Sequence, residues 1–178
     1  MEQTTKLEYC LTRQVKDPGY GNDSAGCIDF FVPTFDENFM ADLAKKNPHL
    51  TESDLEQISA YKKIVLQHGD DICIPSGVHA RLEPHTALTA FNKSGVATKM
   101  KLVQGAEYVD SDYTGEIHLH VINAGKFERT ITEGMKLVQF SYVPVLRGTL
   151  GKKNTKEELY AGFESQRGEK WQGSTGTH

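Results

Sequence analysis

Between Val109 and Ile117 the chain reads Val-Asp-Ser-Asp-Tyr-Thr-Gly-Glu-Ile, which places Asp110, Asp112 and Tyr113 beside one another and close to a glycine. Asp bonds its own backbone and Gly supplies positive φ, so the stretch reads as a tight turn. Held rigidly, such a turn presents a carboxylate able to orient water or a hydroxyl, next to an aromatic face able to support a ring. The elements that must hold it lie on both sides. Met100, Leu102, Ala106 and Tyr108 precede the turn and Ile117, Leu119 and Val121 follow it, each set on the two-residue period of a strand. On this stretch alone a hairpin tip and an active site are both open readings.

Other stretches carry chemistry more weakly. Asp29 interrupts the apolar run Cys27–Pro33, and a charge there needs a partner. Asn92-Lys-Ser-Gly95 reads by itself as an ordinary loop, and Gln139 supplies an amide able to hold water or a phosphate oxygen. His118 and His120 stand two apart on one strand face, but no further His or Cys lies at a recognisable spacing. They are expected to be structural or subunit-facing. Near the C-terminus Gly173-Ser-Thr-Gly176 offers backbone N–H groups and two hydroxyls, with Arg167 and Lys170 for charge, an inventory that can wrap phosphates.

The segment Gly105 to Ile117 closely resembles the third motif of the homotrimeric dUTP pyrophosphatases (dUTPases). Ser24 to Phe30, Asn92 to Lys99, Gly134 to Phe140 and Arg167 to Gly176 resemble that family's other motifs, in its order. The resemblance implies Mg²⁺-dependent hydrolysis of dUTP to dUMP and pyrophosphate, in a homotrimer whose active sites are each assembled from three subunits. By the same resemblance Asp110 orients the attacking water and Gln139 assists it. Gly105, Ala106 and Tyr108 read the uracil edge through backbone groups, and Tyr113 lies against deoxyribose. Lys93, Ser94 and Gly95 meet phosphate, and Asp29 approaches the magnesium–triphosphate through water. Arg167, Trp171, Gly173, Ser174 and Thr175 belong to an arm that closes over the nucleotide. Lys93 stands where the family commonly has Arg, Glu107 where it has Gly, and Met135-Lys136 where it has Asp-Arg.

The 178 residues, 38% hydrophobic, suffice for one sizeable core. A net charge of -4 leaves no electrostatic footprint for duplex nucleic acid or an anionic membrane, which points to a small-molecule partner. Three separated cysteines, with no CxxC, suggest neither a disulfide framework nor a zinc cluster, and fit a reducing cytoplasm. The polar N-terminus and the lack of any apolar stretch near ~18 residues lead to the expectation of a soluble, unsecreted protein.

Evenly spaced short strands punctuated by Gly and Pro predict an all-β fold, a distorted jelly roll or β-barrel, over residues 1–147. The first strand is expected where Leu7 to Val15 alternate. Residues 36–68 break the pattern with a two-helix insertion split at Asn47-Pro48. The second helix starts at the capping box Thr51 to Asp54 and carries Leu55, Ile58, Tyr61 and Val65 on one face, expected to pack on the barrel rather than to bind a protein partner. Residues 148–178 read as a flexible arm. Two rival functions stand beside the pyrophosphatase: a dCTP deaminase-related enzyme, disfavoured by the Asp-Ser-Asp-Tyr-Thr-Gly-Glu turn with its C-terminal arm, and a non-catalytic interaction protein, disfavoured by the retained Asp110, Tyr113, Gln139 and Arg167.

Overall fold

The computed structural model describes residues 6–106, 108–165 and 168. The chain divides into two units, Met1–Leu146 and Arg147–His178. Within the first, the described residues form strands β1 (Glu8–Leu11), β2 (Gly19–Tyr20), β3 (Ile28–Phe31), β4 (Lys63–Leu66), β5 (Asp71–Pro75), β6 (Val78–Arg81), β7 (Thr86–Asn92), β8 (Leu102–Gln104), β9 (Tyr108–Asp110), β10 (His118–Asn123), β11 (Arg129–Thr132) and β12 (Lys136–Pro144). Helices α1 (Glu37–Lys46) and α2 (Glu52–Tyr61) lie between β3 and β4, and the second unit holds the short α3 (Lys156–Leu159).

Every strand pairing is antiparallel. One sheet has the order β2-β3-β12-β7-β9, a second β5-β10-β8, and two ribbons pair β1 with β6 and β11 with β4. Alternation decides which face goes inward: in β10, Leu119, Val121 and Asn123 are buried while His118, His120 and Ile122 are half-buried. Phe30, Leu88, Leu119, Ile131 and Phe140 belong to one contiguous core. This is the all-β architecture that the strand spacing anticipates. The first strand is shorter than its alternation suggests, since the ladder ends at Leu11.

The insertion forms as two helices and contributes to that core. Asp36 caps α1 by accepting from the Phe39 amide at 2.8 Å, and the helix ends at Lys46, two residues before Pro48. Phe39 and Leu43 are fully buried, with Phe35 stacked on Phe39 at 4.6 Å between centroids. Asn47, just past α1, is buried and uses its side-chain amide as a strand would. Its Nδ2 donates to the Cys73 carbonyl (2.9 Å) and its Oδ1 accepts from the Cys73 amide (2.8 Å), covering the edge strand β5.

Thr51 and Asp54 form the expected capping box at the start of α2. The expected helical face is corrected at its far end. Lys62 takes a left-handed conformation with φ 52°, and Lys63–Leu66 become strand β4, buried at Ile64 and Leu66. Val65 therefore faces away from the core, because its β-branched neighbourhood pairs with β11 instead of continuing the helix. Ile58 is the buried residue of α2, whereas Tyr61 is exposed.

Candidate active site

The turn that follows Asp110 is not the tip of a hairpin. β9 pairs with β7 in the larger sheet, whereas β10 pairs with β5 and β8 in the other, so residues 111–117 cross from sheet to sheet. Between the end of β8 and the start of β9 the chain makes the same crossing in the opposite direction. The two crossings, with Phe140, enclose a recess of about 180 Å³ lined by Ala106, Tyr108, Asp110, Tyr113 and His118 among others. Both framing elements end there, which leaves polar groups facing a concavity with rigid walls.

Within the crossing the Tyr113 amide donates to the Asp110 carbonyl (3.1 Å), and the Tyr113 hydroxyl donates to the Glu116 carbonyl (3.0 Å). The ring folds over Gly115, where a Cβ would collide with the phenol oxygen and Cζ. Glu116 anchors the far end. Its carboxylate receives Arg13 Nε at 2.8 Å and Nη2 at 3.0 Å, and the Gly77 amide at 2.6 Å. Arg13 also pairs with Asp42 of α1, and its side chain is 6% exposed. Burial pushes the Glu116 carboxyl up, but the hydrogen bonds from Arg13 and Gly77, with the Arg13 charge, outweigh it and hold the group below its ordinary value. Arg13 and Glu116 were not expected at the site. The available signal was an arginine on the inward face of Leu11, Arg13 and Val15, a position that requires a buried carboxylate.

His118 and His120 part company despite their shared face. His118 has a buried Nε2 without a hydrogen-bond partner among the described residues, and burial, then Lys46, depress its basicity. His120 accepts the Ala106 amide on Nδ1 at 3.0 Å and faces Asp71 with Nε2 at 2.9 Å. No group of three or more His, Cys, Asp or Glu suited to a metal exists among the described residues.

A second polar cluster lies elsewhere on the larger sheet. Asp29, buried on β3, accepts from Lys93 on Oδ1 at 2.8 Å and pairs with Lys136 through Oδ2 at 2.9 Å. Burial raises its carboxyl, and the two lysines more than reverse that. The partner that Asp29 requires is thus two ammonium groups, and with both oxygens so engaged the carboxylate does not fit as a direct ligand of a resident magnesium ion. Gln139 stands opposite Asp29, its Nε2 donating to the Asn92 carbonyl at 3.1 Å. Ser94 and Gly95, expected in a loop, begin a helical turn completed by a π-type segment, Val96–Met100.

The strand register separates the two clusters. On β7, Asp110 is opposite Ala87 and Gln139 opposite Phe91, with Lys93 beyond the strand end. Four residues at ~3.4 Å each put about 14 Å along the strand between the first two. The structure gathers Ala106, Tyr108, Asp110 and Tyr113 around one recess, with Gly105 beside it. It gathers Asp29, Lys93 and Gln139 at another place. Arg167, Trp171, Gly173, Ser174 and Thr175 lie outside the described residues.

An antiparallel barrel with a carboxylate and an aromatic ring lining one recess at a sheet crossing has the form of a small-molecule site. A family model for the dUTPases matches residues 56–176. The chain is 31% identical over 138 residues to the deoxyuridine 5′-triphosphate nucleotidohydrolase of Gloeothece citriformis, covering 76% of this chain and 90% of that protein. Among solved structures, the dUTPase of Staphylococcus bacteriophage 80alpha with dUPNHPP is similar at a TM-score of 0.70 and 17% identity, covering 96% of this chain and 98% of that one. A mutant dUTPase from phage phi11 of S. aureus, described for its coordination of a structural Mg(II) ion, is similar at 0.63 and 16%, covering 85% and 99%. The chain belongs to the dUTPase family.

Proposed function

We propose that this protein hydrolyses dUTP to dUMP and pyrophosphate, with Asp110 orienting the water that attacks the α-phosphorus. The observation that carries the reading is the crossing at residues 110–117, where Asp110 and Tyr113 share one recess and Glu116, tied to Arg13, fixes the far end. Carboxylates are weak bases at neutral pH, so Asp110 contributes mainly by placing water in line. Tyr113 supports the deoxyribose, and backbone groups at Gly105, Ala106 and Tyr108 read the base. Lys93, with Ser94, Gly95 and the C-terminal Arg167, Ser174 and Thr175, meets the phosphates, and Trp171 and Gly173 belong to the same closing arm. Magnesium is read as part of the substrate, arriving on the triphosphate and neutralising its oxygens.

The reading includes a homotrimer. Asp110 and Gln139 stand too far apart within one chain to serve a single water, and the recess is smaller than the ~300 Å³ typical of the smallest ligand pockets. Both points favour sites completed by neighbouring subunits.

Purified protein with Mg²⁺, offered a panel of deoxynucleoside triphosphates, is expected to release pyrophosphate from dUTP in preference to the others. Asp110→Asn is expected to lower kcat at least about a hundredfold with unchanged melting, because it removes the charge and keeps the volume. Turnover within tenfold of wild type, about 1.4 kcal/mol in barrier, would sink the role.

A further inference from the structure

The bend that carries base recognition in the reading above is fastened from behind. The Gly105 amide donates to the His120 carbonyl at 2.9 Å, and the Ala106 amide donates to His120 Nδ1 at 3.0 Å. An amide only donates, so Nδ1 is the unprotonated nitrogen. A carboxylate only accepts, so the hydrogen sits on Nε2 and points to Asp71 Oδ2, 2.9 Å away. Asp71 and its neighbours thus select one neutral tautomer of His120, as outer partners do for metal-bound histidines. The ring lies against Gly105, where a Cβ would collide with Nδ1, Cε1 and Cγ. β5, β10 and the end of β8 are joined through one imidazole.

We propose that His120 is a positioning residue that sets base choice, an inference that rests on the dUTP reading of the recess. With both amide donors of Gly105 and Ala106 committed to β10, the remaining backbone polar groups of these residues are carbonyl oxygens, which only accept. Uracil presents a donor at position 3, whereas cytosine presents a lone pair there. Where one of these two carbonyls stands opposite position 3, uracil is matched there, and cytosine meets it acceptor against acceptor. A freed Ala106 amide would supply the donor that cytosine needs.

His120→Leu is expected to raise KM for dUTP about tenfold with kcat within about twofold, and to narrow the preference for dUTP over dCTP about tenfold, the scale of one lost hydrogen bond. His120→Gln, which reaches toward Asp71 but leaves Ala106 unbonded, is expected to behave alike. His120→Asn, whose carbonyl stands near the place of Nδ1 and accepts, is expected to recover most of both losses. These two amide variants decide the matter if the leucine variant does not fold. Independently of turnover, nitrogen-15 NMR of the His120 ring is expected to show a bare Nδ1 and a protonated Nε2, and the opposite tautomer overturns the proposal. An active wild type whose leucine and glutamine variants keep KM and base preference also overturns it, leaving the dUTP reading intact. A wild type that leaves dUTP unhydrolysed removes that reading and this inference with it.

Discussion

Arg13 brings a charge into a position where only 6% of its side chain meets solvent, and two carboxylates from distant parts of the chain, Asp42 and Glu116, meet it there. Removing one partner of such a group leaves the other buried and uncompensated, a loss of about 3 kcal/mol or more. Arg13→Met is expected to lower unfolding free energy by that amount at neutral pH. The pH dependence has a definite sign. Because the folded Glu116 carboxyl is held below its ordinary value, its contribution is present above the unfolded value of about 4.3 and lost as pH falls through the folded one. Denaturant unfolding should show the gap between wild type and Arg13→Met closing as pH is lowered below that unfolded value, and a gap constant with pH would exclude the assignment. At this scale the sequence conveys need better than identity. The apolar run around Asp29 demands a partner, yet nothing local names Lys93 or Lys136, which are 64 and 107 residues away along the chain. Asp110 and Tyr113 stand out because turn residues and chemistry fall in one short stretch.

The elements show where periodicity is a sound guide and where it misleads. Caps are local, so both starts of the insertion helices, at Asp36 and Thr51, are readable from the residues that make them. Val65 fits the helical stripe of α2 by spacing, and only pairing with β11, a contact remote in sequence, turns Lys63–Leu66 into a strand. The flanks of Asp110 read as strands, and Leu102, Tyr108, Leu119 and Val121 do lie in strands, but Met100 closes the π-type segment and Ala106 falls in the bend between β8 and β9. Which sheet each strand joins depends on β7 and β5, so the sheet crossing is invisible to alternation. The insertion's share of the core is open to test. Phe39 and Leu43 are fully buried in the common cluster, so Phe39→Ala is expected to destabilise the whole domain by about 3–5 kcal/mol in one cooperative transition. A separate early transition, or a loss below about 1 kcal/mol, would show that α1 is an appendage.

For the whole molecule, the separation of Asp110 from Gln139 and Lys93 along β7 has a consequence measurable by mixing. If a working site draws Asp110 from one subunit and Lys93 from another, Asp110→Asn and Lys93→Ala proteins, each inactive alone, complement one another. After denaturation and refolding of an equimolar mixture, about a quarter of the sites recover both residues, for random assembly with two contributing chains. Light scattering is expected to give a trimer mass, and a fully active monomer or an absence of complementation would rule out the shared site. Within the first unit, Asn47 imposes a different constraint, on how the chain can be shortened. Its amide occupies the hydrogen-bonding positions of Cys73 that an incoming strand would otherwise use. A version trimmed of residues 36–48 to approach a minimal barrel would present β5 as an open ladder, a template for sticking to its own kind end over end. Such a trimmed protein is expected to precipitate or form thioflavin-positive fibrils at concentrations where the parent stays clear, even if its catalytic turn is untouched.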